Sequence, residues 1–160
     1  MIPHSSDLPR QTAAATHSAA RAAIGVLFAF RGVAGLFGLF GGVAGTHDGF
    51  PLGSWPGWWV AVLQLVGGIL VAIGLYTRVT AALSSIAMAY IYFMVHVPHG
   101  VLPIQNGGEL AMMFTWTFAL IAAIGAGPYA VDALIRQRRR SSDIKRYLDT
   151  GNIVGISISD

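Results

Sequence analysis

The chain has 160 residues, 54% of them hydrophobic and 11% charged, with a net charge of +3. Soluble domains carry roughly 25% charged residues, and a chain of this length cannot hide so large an apolar excess behind so little charged surface. The mean hydropathy of +0.62 is that of an integral membrane protein, and the absence of cysteine excludes thiol chemistry, iron–sulfur ligation and Cys-based zinc sites.

Residues 1–21 are polar and alanine-rich, with Pro3 and Pro9. They read as a loose cytoplasmic tail that turns helical near Ala13. The apolar run after Arg21 is too long for the h-region of a signal peptide, about 7–15 residues. Four apolar segments follow, at 22–45, 58–76, 79–97 and 109–131. Each is close to the roughly 20 residues that a helix needs to cross the hydrocarbon core. Helix is the expected form, because an open strand leaves unpaired backbone groups in lipid. Two connecting loops, "THDGFPLGSWPG" and "PHGVLPIQNGG", are long. "TR", between the second and third segments, is a minimal turn. The sequence therefore predicts an all-α, up-down-up-down four-helix bundle over 22–132.

Orientation follows from the basic residues. Arg10 and Arg21 precede the first segment, and Arg78 lies between the second and third. Arg136, Arg138, Arg139, Arg140, Lys145 and Arg146 follow the fourth. With an even number of crossings these share one side, and the two long loops carry no Lys or Arg. The positive-inside rule predicts that both termini are cytoplasmic. Topology accounts for the positive charge, so nucleic acid is not an expected partner; the lipid bilayer is. The tail at 133–160 divides into a basic stretch with Ile144, Tyr147 and Leu148 at helical spacing, and a β-branched end, "NIVGISISD". The basic stretch reads as a solvated topogenic tail or as a segment lying on anionic lipid.

Glycines recur through the first two segments. Gly35, Gly38 and Gly42, with Gly67 and Gly68, are the expected helix-packing positions, because small residues let helices approach closely in lipid. Gly25 and Gly32 stand seven apart on the same segment.

Arg31 is the tenth basic residue and lies nine residues after Ala22, about 14 Å into the span. An unpaired arginine at that depth costs about 2.5–3.5 kcal/mol on insertion scales, so it is expected to face the interior of the bundle and find an acceptor. Gln64 and Glu109 are the nearest in kind. Arg78 and Asp132 mark the inner face. His96, His99, Asn106 and Glu109, with His47, Asp48 and Gln105, form an outer polar rim. His96, His99 and Glu109 have the chemistry of metal ligands without a specific spacing, and no metal is expected. Haem is excluded because the histidines sit at the rim. A rim above a buried cation suits an anionic or quinone-like head group.

These residues resemble the DoxX family of small bacterial membrane proteins. The resemblance runs from about Ala23 to Asp132. It rests on Arg31-Gly32 with Gly35 and Gly41-Gly42, on Gly67-Gly68 followed by Gly74-Leu75-Tyr76-Thr77-Arg78, on Asn106 to Leu110, and on Gly125-Ala126-Gly127 leading to Asp132. Ala130 replaces a serine common in the pattern, and Gln64 replaces an acidic residue. The resemblance implies a four-helix inner-membrane protein that serves as an accessory or anchoring subunit of a quinone-linked or oxidative-stress redox system. No self-contained catalytic motif is present. A quinone or a bound lipid is the expected occupant, and a membrane complex supplies the expected protein partner. The alternatives are a purely structural subunit and a small transporter.

Overall fold

The computed structural model describes residues 7–154, with side-chain surroundings for 11–147 apart from Ala44. It is helical, with no strand among the described residues. The helices are α1 (Asp7–Phe37), α2 (Gly57–Ile73), α3 (Thr77–Ile91), α4 (Pro103–Asn106), α5 (Glu109–Ile124) and α6 (Val131–Val154). Two stretches are long and apolar enough to cross a membrane, Gln11–Phe37 and Thr77–His99. The other apolar helices, α2 and α5, have 17 and 16 residues.

Several boundaries differ from the sequence reading. α1 begins at Asp7, inside the stretch expected to be loose, because Pro9 falls in its first turn, where a missing amide costs nothing. It ends at Phe37 rather than at residue 45. Gly38 and Gly42, expected to pack helices, instead occupy positive-φ turns at 69° and 63°. The chain reverses there, and Phe50 N donates to Gly35 O at 2.6 Å. The turn after α2 is Gly74-Leu75-Tyr76, so Thr77 and Arg78 belong to the first turn of α3. α3 runs on through one π turn, Tyr92–His96, and a 3₁₀ turn, Val97–His99. Pro98 has no amide and its ring crowds the preceding turn, so the helix continues by rewinding rather than stopping. The basic stretch of the tail is helical in α6. Residues 1–6 and 155–160, the latter including most of the β-branched end, lie outside the described residues.

α1 and α2 pack backbone to backbone and antiparallel. A Cβ on Gly25 falls 2.5 Å from Ala72 N, and one on Gly68 falls 2.5 Å from Ala29 N. A Cβ on Gly32 runs into Leu65 N, and one on Gly35 meets Ala61 Cβ at 2.8 Å. α3 and α5 form a second antiparallel pair, joined where Ser85 Oγ donates to Thr115 O at 2.8 Å. The pairs meet around Phe28, Val71, Ala81, Met88, Phe118 and Ile121. Phe28 of α1 lies edge-on to Phe118 of α5, with centroids 4.5 Å apart. Large apolar side chains such as Leu27, Phe30, Trp59, Leu83, Phe93 and Trp116 are exposed around the outside, more apolar surface than a soluble monomer shows.

Candidate functional site

The turn between α2 and α3 is held from two directions. The last carbonyls of a helix lack intrahelical partners and carry partial negative charge. Arg21, on α1 and only 3% exposed, meets this need. Its Nη1 donates to Val71 O and, at 2.9 Å, to Ala72 O, in the last turn of α2. Its Nη2 donates to Tyr129 O at 3.0 Å. The first amides of a helix need the opposite charge. Asp132, at the start of α6, accepts from Tyr76 N at 2.9 Å and Thr77 N at 3.0 Å, at the start of α3. Its own amide donates to Gly74 O at 3.0 Å.

Partial burial pushes the Asp132 carboxyl up. The Thr77 and Tyr76 amides and the charge of Arg136 outweigh this and hold it below its ordinary 3.8. A carboxyl with a lowered value contributes stability that is fully present above the unfolded value and is lost as pH falls through the folded one. Asp132→Ala is therefore expected to lower stability by about 1 kcal/mol at neutral pH, the usual cost of a lost helix cap. The gap between variant and wild type should close below pH 3.8. Thermal melts of both proteins in detergent across pH 3–7 check this.

Beside the clamp lies an open cavity of about 680 Å³ lined by Arg78, Asp132, Arg136 and Arg139, with Ile124 and Ile135 among its apolar walls. Arg78 lies over Gly125, where a Cβ would stand 2.9 Å from its Nε.

A second cavity of about 680 Å³ opens between α2 and α3, where the helices are splayed. Trp55, Trp59 and Tyr90 stand at the end nearest the start of α2, and Leu63, Val66 and Leu83 along it. Ser84 is fully buried at its floor, and its Oγ has no hydrogen-bond partner among the described residues.

The structure disperses the polar group expected around Arg31. Arg31 is exposed. It makes no hydrogen bond or ion pair among the described residues, so the expected interior acceptor is not found among them. The packed face of α1 runs through Arg21, Gly25, Phe28, Gly32 and Gly35, and Arg31 is one residue off it. Gln64 turns toward α3, its Nε2 3.8 Å from Met88 Sδ. Asn106 binds its own loop rather than a ligand: its Nδ2 donates to Gly100 O at 2.6 Å, and its Oδ1 accepts from Gly108 N at 2.7 Å. His96 Nδ1 lies 3.1 Å from Asn106 O, and His99 Nδ1 2.9 Å from Val95 O. Glu109 is exposed in the first turn of α5. Among the described residues, no three of His, Asp and Glu gather as metal ligands. Arg78 and Asp132, expected at the inner face, line one cavity beside the turn between α2 and α3. Gly35, Gly67 and Gly68 lie in helix contacts, while Gly38 and Gly42 do not. Arg21 is not among the residues expected at a site. The signal for Arg21 was its place on the glycine stripe of α1.

A family model described as DoxX matches residues 17–97, just over half of the chain. An uncharacterized protein of Haemophilus influenzae is 43% identical over 74 residues, 44% of this chain and 55% of that protein. The chain thus spans about half the length of that curated relative. No solved structure matches.

Proposed function

Since the chain belongs to the DoxX family of membrane proteins, we propose that it is a multi-pass protein of the bacterial inner membrane, and that the α2–α3 groove holds a quinone-class amphiphile for a redox system to which the protein is accessory. In this reading α1, α2, α3 and α5 cross the bilayer up-down-up-down with both termini cytoplasmic. The arginine asymmetry supports that orientation. α2 and α5 are each about 25 Å long, somewhat short of a hydrocarbon core of about 30 Å. Trp55, just before α2, and Trp58 and Trp59, in its first turn, are side chains suited to the outer interface.

The observation that carries the ligand reading is the groove itself. Its walls are apolar, aromatic rings flank its outer end, and an unpartnered hydroxyl, Ser84 Oγ, sits at its floor. Ligand sites are mostly apolar clefts with a few placed polar groups. A quinone offers a flat ring, carbonyl acceptors for a hydroxyl donor and a prenyl tail for the lower groove. In this reading the protein's part is to hold and orient the quinone.

Titrating the full-length protein in nanodiscs with a short-tailed ubiquinone tests this, because Trp55 and Trp59 line the groove. Saturable tryptophan quenching is expected, weakened about tenfold, or 1.4 kcal/mol, by Gly67→Leu, which fills the space beside Ser84. Quenching that is unsaturable, or unchanged in Gly67→Leu, sinks the reading. A second reading, a structural subunit of a larger membrane complex, draws on Arg31: its acceptor in lipid would then lie on a neighbouring subunit.

A further inference from the structure

The clamp occupies both oxygens of Asp132 with the Tyr76 and Thr77 amides. Among the described residues Asp132 is also the one carboxylate lining the adjoining cavity, against three arginines, Arg78, Arg136 and Arg139. None of these guanidiniums donates a hydrogen bond or forms an ion pair among the described residues. Three cations from two helices thus converge on one space with only one carboxylate, already engaged, to answer them.

We propose that this cavity is an anion site that takes a phosphate group, with the rest of an amphiphile lying along its apolar wall. Guanidinium is the side chain best matched to phosphate, because its planar fork donates two parallel hydrogen bonds to two oxygens. The placement of Arg78 and of Arg136 with Arg139 on different helices suits a tetrahedral group better than a planar carboxylate, since its oxygens point in different directions. Val79, Ile124, Pro128 and Ile135 supply apolar surface next to the charges, as a glycerol and acyl chain require. Basic pockets on the cytoplasmic side of membrane helices meet anionic head groups in just this position. The phosphate comes either from a lipid head group or from solution. The inference rests on the membrane placement proposed above and not on the occupant of the α2–α3 groove.

Charge-matched variants of the full chain in detergent provide the test. Native mass spectrometry with added phosphatidylglycerol and phosphatidylethanolamine reads lipid selectivity, and phosphorus NMR line broadening with inorganic phosphate reads the free anion. The wild type is expected to retain phosphatidylglycerol about tenfold over phosphatidylethanolamine, or to broaden the phosphate line. Arg136→Gln/Arg139→Gln should lose that preference about tenfold. Arg138→Gln/Arg140→Gln removes the same charge from the same helix but from residues that do not line the cavity, and should change it less than about twofold. Arg78→Gln should match the first pair, and Arg78→Lys should keep part of the preference should the glutamine variant fail to fold. Selectivity for the lipid alone assigns the site to a head group, and broadening alone assigns it to free phosphate. Equal losses in the two double variants, or no anion preference in the wild type, overturn the proposal. Ubiquinone quenching in the same preparations should be unaffected by the arginine changes. Failure of the groove and failure of the anion site are therefore read separately.

Discussion

Arg21→Ala is expected to destabilise the protein by about 3 kcal/mol, and Arg31→Ala by less than about 0.5 kcal/mol. The chemistry removed is the same, and the surroundings differ. Arg21 is 3% exposed and donates to three carbonyls, two at the end of α2 and one at Tyr129. Hydrogen bonds to a charged group contribute about 1.5–3 kcal/mol each, and a buried acceptor that loses its donor bears the desolvation cost alone. Arg31 has no such partner among the described residues, and a surface substitution away from contacts stays within about 0.5 kcal/mol. Arg21→Lys should recover only part of the loss, because one ammonium on a flexible stem does not span carbonyls on two elements as a guanidinium does. Thermal or denaturant unfolding of the four proteins in the same detergent measures this. If Arg21→Ala melts with the wild type, the account of the α2–α3 turn is wrong.

The second large effect concerns two adjacent glycines. Gly68→Ala is expected to cost about 2–3 kcal/mol and Gly67→Ala less than about 0.5 kcal/mol. Helix propensity alone favours alanine over glycine by about 1 kcal/mol at either position, so any loss at Gly68 has to come from contact. A Cβ there stands 2.5 Å from Ala29 N and 2.6 Å from Gly25 O. Both are backbone atoms of α1, and neither moves without separating the helices. Overpacking of this kind costs about 1–3 kcal/mol. At Gly67 the nearest atom is Ser84 Oγ at 3.0 Å, a side-chain atom that rotates away. Gly25→Ala should behave like Gly68→Ala, since each faces the other's helix. Unfolding in detergent separates these outcomes, and a stabilised Gly68→Ala would contradict the antiparallel α1–α2 contact.

The helical character and membrane class were legible because composition and the length of apolar runs set them directly. The sequence marked Arg78 and Asp132 only as polar residues where apolar segments end, and the structure sets both against one cavity. What failed was the choice of arginine. Arg31 drew attention by its depth in an apolar run, yet the stripe Arg21, Gly25, Phe28, Gly32, Gly35 follows helical spacing and Arg31 does not. Periodicity carried the answer, and depth along the chain misled. The end of α1 failed for a different reason. Glycines at 38 and 42 read equally well as a packing ridge or as turn residues. The decision came from residues 47–50, which fold back on α1 and cannot be anticipated from the run itself. At Asn106, the neighbouring Pro103 and Gly107-Gly108 were a local sign of a turn, and an Asn in a turn hydrogen-bonds its own backbone before it binds anything else.

The clamp on the α2–α3 turn also imposes an order on synthesis. Arg21 leaves the ribosome before the turn it holds, and Asp132 well after it. While translation lies between Tyr76 and Asp132, Arg21 is available to the α2 carbonyls and the α3 amides are still without their carboxylate. A chain that stops short of Asp132 lacks the carboxylate that accepts from both amides. The turn between α2 and α3 is thus held from both sides only after α5 and the start of α6 have been made.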